Sequence, residues 1–190
     1  MLVTSLRFMT TDVPTILELI RELADYEHEL DAVEATVESL SNTIAFAPPP
    51  EGVENITPTP DSTANSNSIS PTRPARCLLL FNEQGQPAGL ALYFYNYSTW
   101  RARHGIYLED LYVRASERGK GYGRRLLAEL AREVDATGGG RLEWSVLKWN
   151  EPSIRFYEDV IGARKMDEWV GMRVQGEEAL RKLAGFAGLE

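Results

Sequence analysis

The stretch from Arg118 to Arg125, Arg-Gly-Lys-Gly-Tyr-Gly-Arg-Arg, sets Gly119, Gly121 and Gly123 among Arg118, Lys120, Arg124 and Arg125. Behind it Leu126, Leu130 and Val134 recur at helical spacing, with Leu127 and Ala131 beside them, so the glycines fall at a helix entrance. Within a helix each glycine costs about 0.5–1 kcal/mol relative to alanine. Such an entrance offers free backbone N–H groups, the positive end of a helix dipole and close access to the main chain. The chemistry implied is anion binding, with phosphate first. The spacing is not that of a P-loop, and the glycines run GxGxG where a dinucleotide site needs GxGxxG. Glu143 mimics the ribose-binding acid of that site, but the chain lacks the repeated βαβ units to accompany it.

A second group with chemical potential lies just upstream. In Ile106–Val113, strict alternation puts Tyr107, Glu109, Leu111 and Val113 on one face of a strand. Ile106, Leu108, Asp110 and Tyr112 take the other. Glu109 is open to two roles, proton acceptor or ordinary ion-pair partner, and Asp110 is read as structural. Tyr157 is a phenol that either donates a proton or packs a short helix beside Phe156. His28 and His104 have no second ligand at metal spacing, and Cys77 sits inside an apolar run as a buried thiol would. Neither a metal site nor a cysteine nucleophile is expected.

The elements that must hold these residues read as a mixed α/β domain around one sheet. Val3–Thr10 is a short strand, and Asp12 with Pro14 opens a helix whose apolar face is Ile16, Leu19, Ile20, Leu23 and Leu30. Its acidic face carries Glu18, Glu22, Asp25 and Glu29. A second helix is predicted at 36–46. Residues 47–75, rich in proline, serine, asparagine and threonine, are expected to form a long disordered insertion. A hairpin, the Ile106–Val113 strand, the glycine-led helix, a strand at 141–148 and a helix capped by Asn150 follow. Residues 164–174 read as a final strand pair and 177–186 as a closing helix.

Composition narrows the function classes. The 190 residues, 43% hydrophobic and 25% charged, suit one globular domain spanning 1–190. Net charge is −8, divided unevenly: residues 1–70 carry −10 and residues 71–190 carry +2. That distribution argues against nucleic acid, and no apolar run approaches a membrane span. It fits a cation at one end of a site and an anion at the other. One cysteine excludes an internal disulfide and, with no secretory leader legible, a cytoplasmic protein is expected, the nucleus being possible.

Taken with its neighbours, the glycine stretch resembles the pyrophosphate loop of the GNAT acetyltransferases, Arg/Gln-x-x-Gly-x-Gly. Five further segments stand in the order seen in the spermidine/spermine acetyltransferases and their thialysine-acetylating relatives. These are the Leu-Ala-Asp-Tyr-Glu of the first helix, Tyr95–Trp100, Ile106–Val113, Trp149–Tyr157 and Gly176–Gly185. The resemblance covers nearly the whole chain apart from 47–75. It implies a GNAT fold, acetyl-CoA as acetyl donor without a metal, a small cationic amine as acceptor, and a homodimer. It implies Glu109 as base and Tyr157 as acid. The donor would lie against Leu111, Tyr112 and Val113, against Arg118, Gly119, Lys120, Gly121, Tyr122, Gly123 and Arg124, and against Asn150 and Ser153. The amine would meet Tyr26, Glu27, Trp100, Glu143 and Trp144. Ser98 replaces an acid of the polyamine enzymes, which places thialysine or a lysine-like amine ahead of a polyamine. Two rivals stay open: a protein or peptide N-acetyltransferase, and a catalytically silent acyl-CoA-binding module.

Overall fold

The computed structural model describes residues 12–46 and 68–188, together with the backbone of Ser5–Arg7. These fall into two compact units, Met1–Ser145 and Val146–Glu190. The first contains a five-stranded sheet: β1 (Ser5–Arg7), β2 (Ala75–Phe81), β3 (Pro87–Ser98), β4 (Arg103–Val113) and β5 (Leu142–Trp144), side by side in that order. All pairs are antiparallel except β4–β5. One face of the sheet carries α1 (Val13–Tyr26), the other α3 (Tyr122–Ala136); α2 (Val37–Thr43) lies beside α1.

The expected apolar patterns account for both faces. From α1, Val13, Ile16, Leu17 and Leu19 are buried against Cys77, Leu79, Phe81, Leu90, Leu92 and Tyr112. From α3, Tyr122, Leu126, Leu127, Leu130 and Val134 are buried. Burying one leucine side chain is worth about 1.5–3 kcal/mol. The α3 face thus outweighs the cost of a glycine-led entrance.

Several boundaries differ from expectation, among them the strand expected at 141–148, which is realised only at Leu142–Trp144, where β4 supplies its pairing. Helix α1 ends at Tyr26, because His28 takes a left-handed φ of 63° that stops an α-helix; Leu30 lies in a separate short turn, 45% exposed. Helix α2 stops at Thr43 because the next residues turn to the sheet: Ile44 bridges Ala75, and the Ala45 N–H donates to the Ala75 carbonyl at 2.8 Å. A further one concerns the insertion. Residues 47–67 lie outside the described residues, but Ser68 onward is placed. Ser70 and Arg73 close a turn, and Arg73 donates to the carbonyls of Ser41 and Ile44 at 3.0 and 3.2 Å. The C-terminal end of the expected disordered stretch is therefore anchored to α2. The residues flanking Ser5–Arg7 in the expected first strand also lie outside the described set.

The second unit holds α4 (Glu151–Arg155), a widened π-type turn at Phe156–Ile161 and α5 (Glu177–Ala184). Residues 164–174 contain no strand. β-Prone side chains form strand only where a neighbour completes the hydrogen-bond ladder. Within this unit no described residue does so.

Candidate functional site

The centre of β4 is interrupted. Leu92 pairs with Asp110 but its neighbour Tyr93 pairs with Leu108, which leaves Glu109 as one extra residue, a β-bulge. Because side chains alternate along a strand, the extra residue reverses the facing of everything beyond it. Leu108 shares the α3 face with Tyr93, whose hydroxyl donates to Glu133 of α3 at 2.6 Å. Asp110 shares the α1 face with Leu92 and Tyr112. The alternation expected from sequence, with Asp110 beside Leu108 and opposite Glu109, is therefore corrected. The bulge sets Glu109 and Asp110 consecutively toward α1, with Glu109 exposed and Asp110 half-buried.

The electrostatics follow from that placement. Burial pushes the Asp110 carboxyl up to about 6, reinforced by the charges of Glu109 and of Glu27. Glu27, which caps the C-terminus of α1, is also raised, first by burial and then by Glu29. Three carboxylates from two elements thus share one region, in an environment that favours a proton or a cation. The same burial, with Asp110 and Asp12 nearby, raises the Cys77 thiol, which suits an inert core residue.

Past the bulge β4 stands open on one side. Its pairing with β5 covers only Ile106, Leu108 and the Tyr107 between them, so from Glu109 to Val113 no described strand pairs that edge. Leu111, Tyr112 and Val113 can offer backbone groups to an extended ligand there. The chain then passes a short turn at Ala115–Glu117 and enters α3 through Gly119 and Gly121, whose φ values are +79° and +80°. Only glycine adopts that conformation without strain, and a Cβ at Gly119 would meet nothing within 4 Å. No side chain caps the α3 N-terminus. A diphosphate would find exposed N–H groups, the helix dipole and the cations Lys120 and Arg124.

The cations expected around this loop are not equivalent. Arg114 is engaged elsewhere: its Nε and Nη2 donate to Glu22, its Nη2 also meets Glu18 at 2.7 Å, and its Nη1 donates to the Pro87 carbonyl. Lys120, half-exposed, pairs with Glu117 at 2.8 Å. Arg118 donates from Nε to the Val113 carbonyl and lies 5.0 Å from the ring centre of Tyr26 and 5.9 Å from that of Tyr112. So the loop touches the last residue of α1.

The residues expected at the amine end are dispersed. Tyr26 and Glu27 lie at the α1 terminus beside the bulge. Trp100 stands 90% exposed in the β3–β4 turn, and six residue steps along β4, about 20 Å of strand, separate Arg103 from Glu109. Glu143 pairs with Arg141 at 2.8 Å and accepts from Asn96 at 2.6 Å; Trp144 follows it on β5. In the second unit the Asn150 side chain caps α4 by accepting the Ser153 N–H at 3.3 Å, and Tyr157 sits in the π-type turn with its ring 5.4 Å from Phe156. Such turns recur at functional sites.

Among the described residues no group of three or more histidines, cysteines or carboxylates is arranged to hold a metal, and no helix is long and apolar enough to cross a membrane. The sequence pattern described as the acetyltransferase (GNAT) family matches residues 19–163. This chain belongs to the GNAT acetyltransferase family. It is 33% identical over 195 residues to an L-ornithine N5-acetyltransferase of Arabidopsis thaliana, covering 91% of this chain and 85% of that one. It is 34% identical over 180 residues to a thialysine N-epsilon-acetyltransferase of Sus scrofa, covering 92% of each. The fold is similar to that of an integron cassette protein from the mobile metagenome of V. cholerae, with a TM-score of 0.67, 22% identity, and 95% of this chain and 97% of that one covered. As a GNAT member the chain is an acyltransferase enzyme, and the family's donor is acetyl-CoA.

Two features of this GNAT site were not legible in the sequence. The facing of Asp110 depends on a bulge that no residue type announces: Leu-Glu-Asp-Leu reads as plain strand. The contact of Arg118 with Tyr26 joins residues 92 positions apart. An Arg at the first position of the glycine motif and a Tyr at the end of an acidic helix were each visible, but not their meeting.

Proposed function

We propose that this enzyme moves the acetyl group of acetyl-CoA directly to a primary amine of a small molecule, a thialysine-, ornithine- or lysine-like side chain first and a di- or polyamine second. The observation that carries the reading is the β4 bulge: Glu109 and Asp110 beside Glu27, at the start of an unpaired strand edge that runs into the glycine loop. The relatives named for ornithine and thialysine support an amino-acid amine.

The chemistry required is defined by the amine. With a pKa near 10.4, only about one molecule in a thousand is neutral at pH 7.4. Asp110 and Glu27 attract the ammonium group. Glu109, exposed at the bulge, takes its proton directly or through water. The donor supplies an activated thioester: as the nitrogen forms its bond to the acetyl carbon, the carbon–sulfur bond breaks. Backbone groups of Leu111, Tyr112 and Val113 polarise the carbonyl. Tyr157 gives its proton to the departing sulfur, a modest demand since a thiol has a pKa near 8.5. The loop from Arg118 to Arg124 holds the diphosphate, and Asn150 and Ser153 the pantetheine arm. The enzyme works as a single domain, 1–190, in a homodimer.

The test is thiol release from acetyl-CoA across ornithine, thialysine, lysine, spermidine, putrescine and a basic peptide. Fastest turnover with an amino-acid amine is expected. A basic peptide outrunning every free amine would replace this reading with a peptide N-acetyltransferase. CoA binding with no release would leave an acyl-CoA-binding module.

A further inference from the structure

The two ends of the site meet at Arg118. Its guanidinium is planar: the faces attract aromatic rings, while the edges carry the N–H donors. Tyr26 lies 5.0 Å and Tyr112 5.9 Å from its central carbon, so the attraction engages two rings. Its Nε is held by the Val113 carbonyl at 3.1 Å. Among the described residues no hydrogen bond engages Nη1 or Nη2, and the side chain is solvent-exposed. This cation is fixed by its face and open at its edge.

What it holds matters for the acceptor. Tyr26 is the last residue of α1, and Glu27, one of the three carboxylates at the bulge, follows it. The body of α1 is secured independently, by its core and by Arg114 on Glu18 and Glu22. In the final turn Leu23 packs against that core, the N–H groups of Glu27, His28 and Glu29 donate to Leu23, Asp25 and Ala24, and Asp25, His28 and Glu29 are exposed. Of the contacts around this turn, the one to Arg118 leads to the glycine loop.

We propose that Arg118 is a positioning residue that couples the two substrates: its edge takes a phosphate oxygen of the acetyl donor while its face holds Tyr26, so a filled donor site orders the end of α1 and prepares the acceptor site. This rests on the transferase reading above and adds a regulation of the same site. By thermodynamic reciprocity, the amine raises donor affinity by the factor with which the donor raises amine affinity.

Amide hydrogen exchange of the full chain with and without saturating CoA tests this without knowledge of the amine. In the wild type, CoA should slow exchange both in residues 119–125 and in residues 24–29, the latter by about fivefold, the low end of typical coupling. Arg118→Met and Tyr26→Leu, each at CoA saturating for that variant, should keep loop protection and lose the protection of 24–29. Tyr26→Phe, which retains the ring, should keep both. The coupling is overturned if CoA protects the loop of the wild type but not 24–29, or if Arg118→Met and Tyr26→Leu still transmit protection. CoA leaving the loop itself unprotected would overturn the donor site, and the coupling with it.

Discussion

The bulge of β4 and the glycine loop adjoin in sequence, yet they handle charge in opposite ways. At the bulge, Glu109, Asp110 and Glu27 bring like charges together beside a buried face, and Asp110 responds by holding its proton up to about 6. In the loop, Lys120 and Arg124 stay in water, Arg114 is neutralised by α1, and much of the positive potential comes from uncapped backbone. Carboxylates half out of water gain strength from a low dielectric and titrate in a useful range. Backbone N–H groups never titrate. The proposed transfer, which accepts a proton at one end and holds a permanent anion at the other, is served by that division.

The strongest way to break the comparison is at Glu109. Glu109→Gln should lower kcat/KM for the amine by about 10²–10³-fold near pH 7. Partial recovery should follow as pH approaches 10, because free amine then replaces the missing base. An equal loss at every pH would remove its role as proton acceptor.

Asp110 sharpens the same point through stability. Its folded pKa is raised, so the folded state binds the proton more tightly than the unfolded chain does. The ionised carboxylate therefore destabilises the fold, a cost absent below about pH 4 and fully present above pH 6. Asp110→Asn should raise unfolding free energy by about 1–3 kcal/mol at pH 8 and by almost nothing at pH 4. It should also remove the rise in amine kcat/KM that accompanies Asp110 ionisation near pH 6. Denaturant unfolding at the two pH values and a pH–rate profile check both.

The loop should respond to geometry and not to pH. Gly121→Ala places a Cβ on a residue at φ +80°, a strain of about 1–2 kcal/mol, with only the Arg124 side chain in ordinary contact at 3.9 Å. A lower Tm and a raised KM for acetyl-CoA, with the pH profile unchanged, are expected from melting curves and initial rates. The smallest effect on activity should come from deleting residues 49–66, which spares the Ser70–Arg73 turn. Each doubling of a loop's length alters closure entropy by only about 0.6 kcal/mol, so even this deletion changes it by about 1–2 kcal/mol, in the stabilising direction. Turnover should stay near wild type and Tm should not fall; a large loss would give the insertion a part in the site.

Much of this molecule was written in residue order alone. The spacing of Leu126, Leu130 and Val134, the glycines before them and the apolar runs of β2 and β3 fix an amphipathic helix with a glycine-led entrance on a mixed sheet. Those are local matters, decided by periodicity and by the conformational freedom of glycine. The resemblance of ordered motifs supplied the family, and that stood. Tertiary structure decided the rest. Asp110 changed faces because β3 and β4 settle one residue out of step, a register set by both sheet faces together and carried by no residue of the bulge itself. Arg114, four residues before Arg118, is turned away from the glycine loop because Glu18 and Glu22 of α1 pass within reach of it. Residues 164–174 formed no strand, since a strand's ladder belongs to its neighbour as much as to its own sequence. Charge and period are properties of a segment; facing, partner and proton affinity arise only when segments are brought together.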